Sequence, residues 1–283
     1  MKQEDDSPEH HKLRSEYIKK AVQGSSPHRG ALSSSGPLPP RRIVQFWNDP
    51  QRLPADVEEC INSWVRWGMN DFAHSLFDAQ RASLFISRKL GARYERAFER
   101  CYHPAMQSDY FRLCYLLAQG GFYVDADDVC VASDIAWLFE DSRLKIQPLC
   151  YDTRLGAMVD AATFLPENAY DPNWIFYFNN NPLIASAGHP VIEAALRRAT
   201  GLLELAEHGT FPDIQATTGP GNLSRTIFDL GMSGRIHAAS DICVLREWSN
   251  LAVSKWPLSY RDDARNWRLS NRRPFTFGTG SLQ

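Results

Sequence analysis

The stretch Ser108-Asp-Tyr-Phe-Arg-Leu-Cys-Tyr-Leu-Leu-Ala-Gln-Gly-Gly-Phe-Tyr-Val-Asp-Ala-Asp-Asp128 decides how the chain is read. Tyr110, Leu113, Cys114 and Leu117 recur at three- and four-residue spacing, which predicts a helix from Pro104 to Gln119 with Gly120-Gly121 as its stop. Asp109 and Arg112 are three apart, so they share a helix face opposite that apolar stripe. Behind the diglycine, Phe122-Tyr-Val124 reads as a strand running into Asp125-Ala-Asp127. In extended chain, residues i and i+2 point the same way, so the carboxylates of Asp125 and Asp127 are expected to converge while Ala126 and Asp128 face elsewhere. Two hard oxygen donors at the carboxyl end of a strand suit Mg²⁺ or Mn²⁺, above all where substrate phosphates complete the shell. A plain acidic turn at a strand end is the alternative. A calcium loop fails, because Cys130 stands where such a loop needs Gly and Ala136 where it needs Glu.

Working outward, Ile43-Val-Gln-Phe-Trp47 reads as a first strand, bounded by Pro39-Pro40 and Asn48-Asp49-Pro50. Helical patterns follow from Pro54 to Trp67, with Val57, Ile61, Trp64 and Val65 on one face, and from Asp78 to Leu90, with a strand at Phe72 to Leu76 between them. Alternation continues through Ile146 to Leu149, Thr163 to Leu165, Phe176 to Phe178, His189 to His208 and Leu223 to Leu230. This pattern predicts an α/β domain on a mixed, mainly parallel sheet with helices on both faces. Residues 1–40 differ in composition. A possible short helix from His10 to Val22 leads into Ser/Gly/Pro-rich chain, so they are expected to be a mobile polar extension ahead of one domain spanning 41–283.

The 283 residues carry 31 Lys and Arg against 33 Asp and Glu, a formal charge of −2 that leaves no basic excess for nucleic acid or an anionic membrane. An acidic partner can approach such a surface only where a cation or a few local Arg residues offset it. Apolar runs such as Ile135 to Phe139 are far short of the ~20 residues of a spanning helix, so no transmembrane segment is expected. The start is polar and acidic, so a standard secretory signal is not expected. Six scattered cysteines show neither zinc nor disulfide spacing and read as buried free thiols.

The composite Ser108-Asp109…Arg112, Gly120-Gly121-Phe-Tyr123-Val-Asp125-Ala-Asp127 resembles the sugar-binding region of DXD-containing glycosyltransferases of family 32. That family includes yeast initiating α-1,6-mannosyltransferases, bacterial capsular polysaccharide transferases and, more distantly, the clostridial glucosylating toxins. The likeness reaches upstream to Arg42–Trp47 and Ser63-Trp64, and downstream to Asn181–Pro190 and Thr218-Gly-Pro-Gly221. It implies a GT-A fold, a single Rossmann-like sheet. It also implies that Asp125 and Asp127 hold Mn²⁺ or Mg²⁺ against the diphosphate of a UDP- or GDP-linked sugar, while Asp109 and Arg112 bind the donor sugar. Trp47 matches a position near the nucleoside, and Asn181 one near the donor sugar. Relatives often carry His or Asn just before a Trp near the carboxyl terminus, in a segment that closes over the diphosphate. Here Asn266-Trp267 is the counterpart, in a stretch that also holds Arg261, Arg265 and Arg268.

The resemblance therefore implies a metal-dependent, retaining hexosyltransferase acting on a glycan or lipid-linked acceptor in bacterial surface glycan synthesis. The expected location is the cytoplasm, with the inner-membrane surface or delivery as a secreted effector as variants. A module that binds nucleotide sugar or glycan without turnover, and an effector transferase that modifies a protein, are the competing readings.

Overall fold

Val44 and Phe46 point into one apolar cluster and Ile43 into another, so the strand they share is covered on both faces. The computed structural model describes residues 7–25, 36–69, 71–207, 209–255 and 257–275. Among them the strands are β1 Arg42–Phe46, β2 Ala73–Phe77, β3 Gly121–Tyr123, β4 Asp128–Cys130, β5 Leu144–Asp152, β6 Ala157–Met158, β7 Trp174–Ala185, β8 Ile242–Val244 and β9 Ala252–Ser254. The main sheet has the order β2-β1-β3-β7-β5-β6, with β8 also on β5, while β4 and β9 form a separate pair. From the pairings, β1, β2, β3, β5 and β8 run one way and β6 and β7 the other, giving the expected mixed, mainly parallel sheet.

The register places β3 centrally. Phe122 faces Ile43 on one side and Ile184 on the other, and its ring joins Trp64 and Trp248 in the second cluster. Tyr123 faces the first cluster, where the helices Pro104–Gln119 and Pro190–Leu205 pack. The helix Ala55–Val65 covers the opposite side, beside β4. The diglycine stop has a steric basis. Gly120 has φ +64°, and a Cβ there would lie 2.6 Å from Ala187 N. The chain can therefore turn from helix to β3 while running hard against the end of β7.

The extension expected to be mobile is ordered over most of its first half. The helix Pro8–Gln23 docks on β7 and on the helix Pro220–Met232, with Ile18 and Val22 fully buried. Ser15 Oγ accepts from Phe176 N (3.0 Å), and Gln23 Nε2 donates to Phe164 O (3.0 Å) and Ala169 O (2.8 Å). Tyr17 meets Phe228 edge-on at 5.6 Å. The charged residues of this helix are its solvent face, and Tyr17, Ile18 and Val22 are an apolar stripe at helical spacing. Residues 1–6 and 26–35 of that extension lie outside the described residues.

Beyond β3 the expected extended run does not continue. Asp125 to Asp127 form a turn, closed by Asp128 N donating to Asp125 O (3.3 Å), and β4 starts at Asp128. No helix among the described residues is long and apolar enough to cross a membrane.

Candidate active site

The helix Pro104–Gln119 delivers Arg112 to the centre of a polar network below the turn. Arg112 is buried, and most of its donors are spent inside the protein. Nη1 donates to Asn180 O (2.6 Å), and Nη2 to Ser108 Oγ (2.9 Å) and Asp125 Oδ1 (2.8 Å). The Asp109 carboxylate lies 3.0 Å from Nη2, and the guanidinium caps the Tyr123 ring at 4.4 Å. Asp109 itself accepts from Asn180 Nδ2 (2.7 Å) and Thr218 Oγ1 (3.4 Å). Burial pushes its carboxyl above the usual range despite Arg112. Gly219 packs closely beside it: a Cβ there would stand 3.0 Å from Gln215 Cα and 3.2 Å from Asp109 Oδ2, so these neighbours would have to yield by a few tenths of an ångström.

The turn gathers three carboxylates. Asn181 secures two of its residues at once, accepting from Asp125 N through Oδ1 (2.9 Å) and donating to Asp128 Oδ2 through Nδ2 (2.8 Å). Burial, with the like charge of Asp127 opposing Arg112, raises the Asp125 carboxyl to about 6. Burial and the neighbouring Asp127 and Asp125 raise Asp128 to about 8. Burial and mutual repulsion thus oppose full ionisation of the three carboxylates, a cost that a cation placed among them would relieve.

The third component is the segment from Ser259 to Ser270, which straps across the molecule. Ser259 N and Oγ donate to Asp56 (2.7 and 3.0 Å), and Tyr260 OH donates to Asp127 Oδ2 (2.7 Å), the same oxygen that receives the Arg261 guanidinium. Asn266 caps the short helix Trp267–Ser270 by accepting from Arg268 N (3.1 Å), and its amide donates to Arg261 O (2.7 Å). Buried His103 ties this strap to the Arg112 helix. Its Nδ1 accepts from Ala105 N (3.0 Å), so Nε2 carries the proton and donates to Ala264 O (2.9 Å). Trp47, at the end of β1, meets Tyr260 edge-on at 5.3 Å.

Residues 54–144 match the family described as the glycosyltransferase sugar-binding region containing DXD motif. Over that stretch, about a third of its length, the chain is similar to this glycosyltransferase family. It is 23% identical to the initiation-specific alpha-1,6-mannosyltransferase of Schizosaccharomyces pombe, over 67% of this chain and 48% of that protein, so it spans about half the length of this relative. Among solved structures it is similar to PaToxG Glycosyltransferase, at 13% identity and a TM-score of 0.44, covering 91% of this chain and 92% of that one.

The DXD turn, the Arg112 helix and the strap line one cleft of about 510 Å³, which brings together Trp47, Asp109, Arg112, Asp125, Asp127, Asn181, Asn266 and Trp267. The donor set fits a small hard cation. Asp125 uses Oδ1 for Arg112 and Asp127 uses Oδ2 for the strap, leaving Asp125 Oδ2 and Asp127 Oδ1 without a hydrogen bond among the described residues. No group of three or more His, Cys, Asp or Glu among them is gathered as a metal cage. Mg²⁺ or Mn²⁺ here would take the rest of its shell from water and ligand oxygens, as these ions commonly do.

Three residues escaped the sequence reading. Asp128 was expected to face away, on the premise of a continuous strand, and the turn brings it to the cleft. Asn180 and Tyr260 hold Asp109 and Asp127, partners that no local spacing announces because 71 and 133 residues separate them.

Proposed function

We propose that the protein transfers a sugar from a nucleoside-diphosphate donor to an acceptor hydroxyl, with a divalent cation held by the DXD turn. The observation that carries this reading is the Asp109–Arg112–Asp125 chain, which fixes one acidic side chain of the cleft while leaving oxygens of Asp125 and Asp127 available. Departure of a nucleoside diphosphate builds negative charge, and Mn²⁺ or Mg²⁺ bound there would supply the charge stabilisation. Asp109 and Arg112 shape the donor-sugar pocket, with Arg112 acting chiefly by positioning Asp125. Asn181 sets the turn, and Trp47 beside Tyr260 offers an aromatic surface for the base. Asn266 and Trp267 line the same cleft from the strap.

Retention of anomeric configuration, by same-face attack, follows from the family resemblance. The similarity to a mannosyltransferase makes GDP- and UDP-linked hexoses the first donors to examine. A glycan or lipid-linked acceptor of a bacterial surface polymer, glycosylated at the cytoplasmic side, is the setting we assign. The test is Mn²⁺-dependent release of nucleoside diphosphate from UDP-, GDP- and dTDP-sugars, after a thermal-shift screen in which a bound donor raises the midpoint by mass action. Release lowered by about 10²-fold or more in Asp125→Ala and Asp127→Ala supports the transferase. Donor binding without any release, with every acceptor class supplied, favours the binding module.

A further inference from the structure

Asp127 is bound twice by the strap and by nothing else through its side chain among the described residues. Tyr260 OH and the Arg261 guanidinium converge on a single oxygen, Oδ2, and the Arg261–Asp127 pair is nearly buried, at 12% and 15% side-chain exposure. Asp125, by contrast, is neutralised by Arg112 from within the core. The two carboxylates that read as a cation's ligands thus each have a resident guanidinium, one on a long packed helix and the other on a short 3₁₀ turn. Between Ser259 and Asn266 the strap is irregular chain and a single 3₁₀ turn, tied down by polar bonds at Asp56, Asp127 and Ala264. A segment held in this way opens at lower cost than a packed helix.

We propose that Arg261 is a built-in counter-ion of the DXD turn, exchanged for a divalent cation only when a nucleoside diphosphate arrives with it. This rests on the cation reading given above. A cation on Asp127 beside Arg261 places like charges at contact distance, so the cation alone must displace the guanidinium. A diphosphate changes the balance, because its oxygens offer the planar Arg261 guanidinium a bidentate, charge-assisted partner in place of Asp127. Cation and nucleotide therefore bind with positive coupling, and without nucleotide Arg261 keeps Asp127 neutralised so that free metal binds only weakly. By linkage the coupling is reciprocal.

The experiment is isothermal titration of the full chain with Mn²⁺ alone, and with Mn²⁺ in the presence of UDP or GDP, on wild type, Arg261→Gln, Arg261→Lys and Tyr260→Phe. Wild type is expected to bind Mn²⁺ weakly alone and about tenfold or more tighter with nucleotide, a typical coupling. Arg261→Gln should bind Mn²⁺ alone about tenfold tighter than wild type and lose most of the coupling, while Arg261→Lys stays close to wild type. Tyr260→Phe, which removes only the hydroxyl on Asp127, should shift Mn²⁺ affinity the same way by less, and serves if Arg261→Gln does not fold. Equal Mn²⁺ affinity in wild type and these variants, with Asp125→Ala abolishing it, overturns the counter-ion role and leaves the cation site standing. If no form binds Mn²⁺, with or without nucleotide, the cation reading itself has failed and this inference falls with it.

Discussion

Arg112 and Arg261 reach the same acidic turn from two regions built on different principles. Arg112 rises from a long helix packed in the main core, and its guanidinium is surrounded by backbone carbonyl, hydroxyl, carboxylate and aromatic ring. Arg261 sits on a short 3₁₀ turn held by side-chain hydrogen bonds and by the Tyr260 ring against Trp47. One charge is fixed by the fold and the other is lent by a surface segment. The difference separates what shapes the donor pocket from what can respond to a ligand.

The largest effect that can break this comparison is on stability. Arg112→Ala leaves Asp109 and Asp125 facing each other in a buried site, and should cost about 3–5 kcal/mol in urea unfolding. Arg261→Ala should cost roughly 1–2 kcal/mol, since the partly exposed Asp127 regains solvent. Equal losses would mean that the strap is as integral as the helix. Next, Asp127→Ala should lower nucleoside-diphosphate release by about 10²–10³-fold, the size seen when one group stabilising developing charge is removed. Its thermal midpoint should move less than that of Asp125→Ala, whose side chain is tied to Arg112. Trp47→Ala should weaken nucleotide binding by about 1–3 kcal/mol in titration calorimetry, with Trp47→Phe retaining most of it.

The smallest effect concerns the joint between the two regions. Burial lowers the His103 imidazole below its usual value, against the raising influence of the Ala264 carbonyl. The folded state thus favours the neutral ring, so its contribution is present above the ordinary histidine value of about 6.5 and is lost as pH falls below it. Protonation also removes the Nδ1 acceptor that caps the Arg112 helix. Wild type should lose about 1 kcal/mol relative to His103→Asn between pH 7.5 and pH 5. Parallel unfolding curves for the two proteins across that range would rule out His103 as a pH-sensitive link.

The two regions were also unequally legible in the sequence. The helix carrying Arg112 was readable to its ends, because apolar periodicity, Pro104 and the diglycine all act locally. The strand behind it was legible, but the turn at Asp125 was not. An extended chain and a turn share the same residue types there, and what bends it is Asn181, reaching in from β7. The strap's Asn266-Trp267 was found by resemblance, whereas Tyr260 on Asp127 depends on a long-range contact with no periodic signature. The amino-terminal helix was legible in position, from His10 to Val22, but its docking was not. Its polar composition outweighed three apolar residues whose spacing was correct for docking.

That docked helix bears on where the protein can be cut. A boundary drawn at residue 41, where the composition changes, would strip Ile18 and Val22 from the back of β7 and leave Phe228 without its partners Tyr17 and His10. Gly231, whose missing Cβ makes room for the Tyr17 hydroxyl, would face a vacated slot. It would also take two of three acceptors from the Arg246 guanidinium, which donates to the carbonyls of Val22, Ser25 and Leu165 and so fastens the end of this helix to two other parts of the chain. The first helix is the final slat of the sheet's cover, and a shortened protein would present bare apolar strand to its neighbours and self-associate.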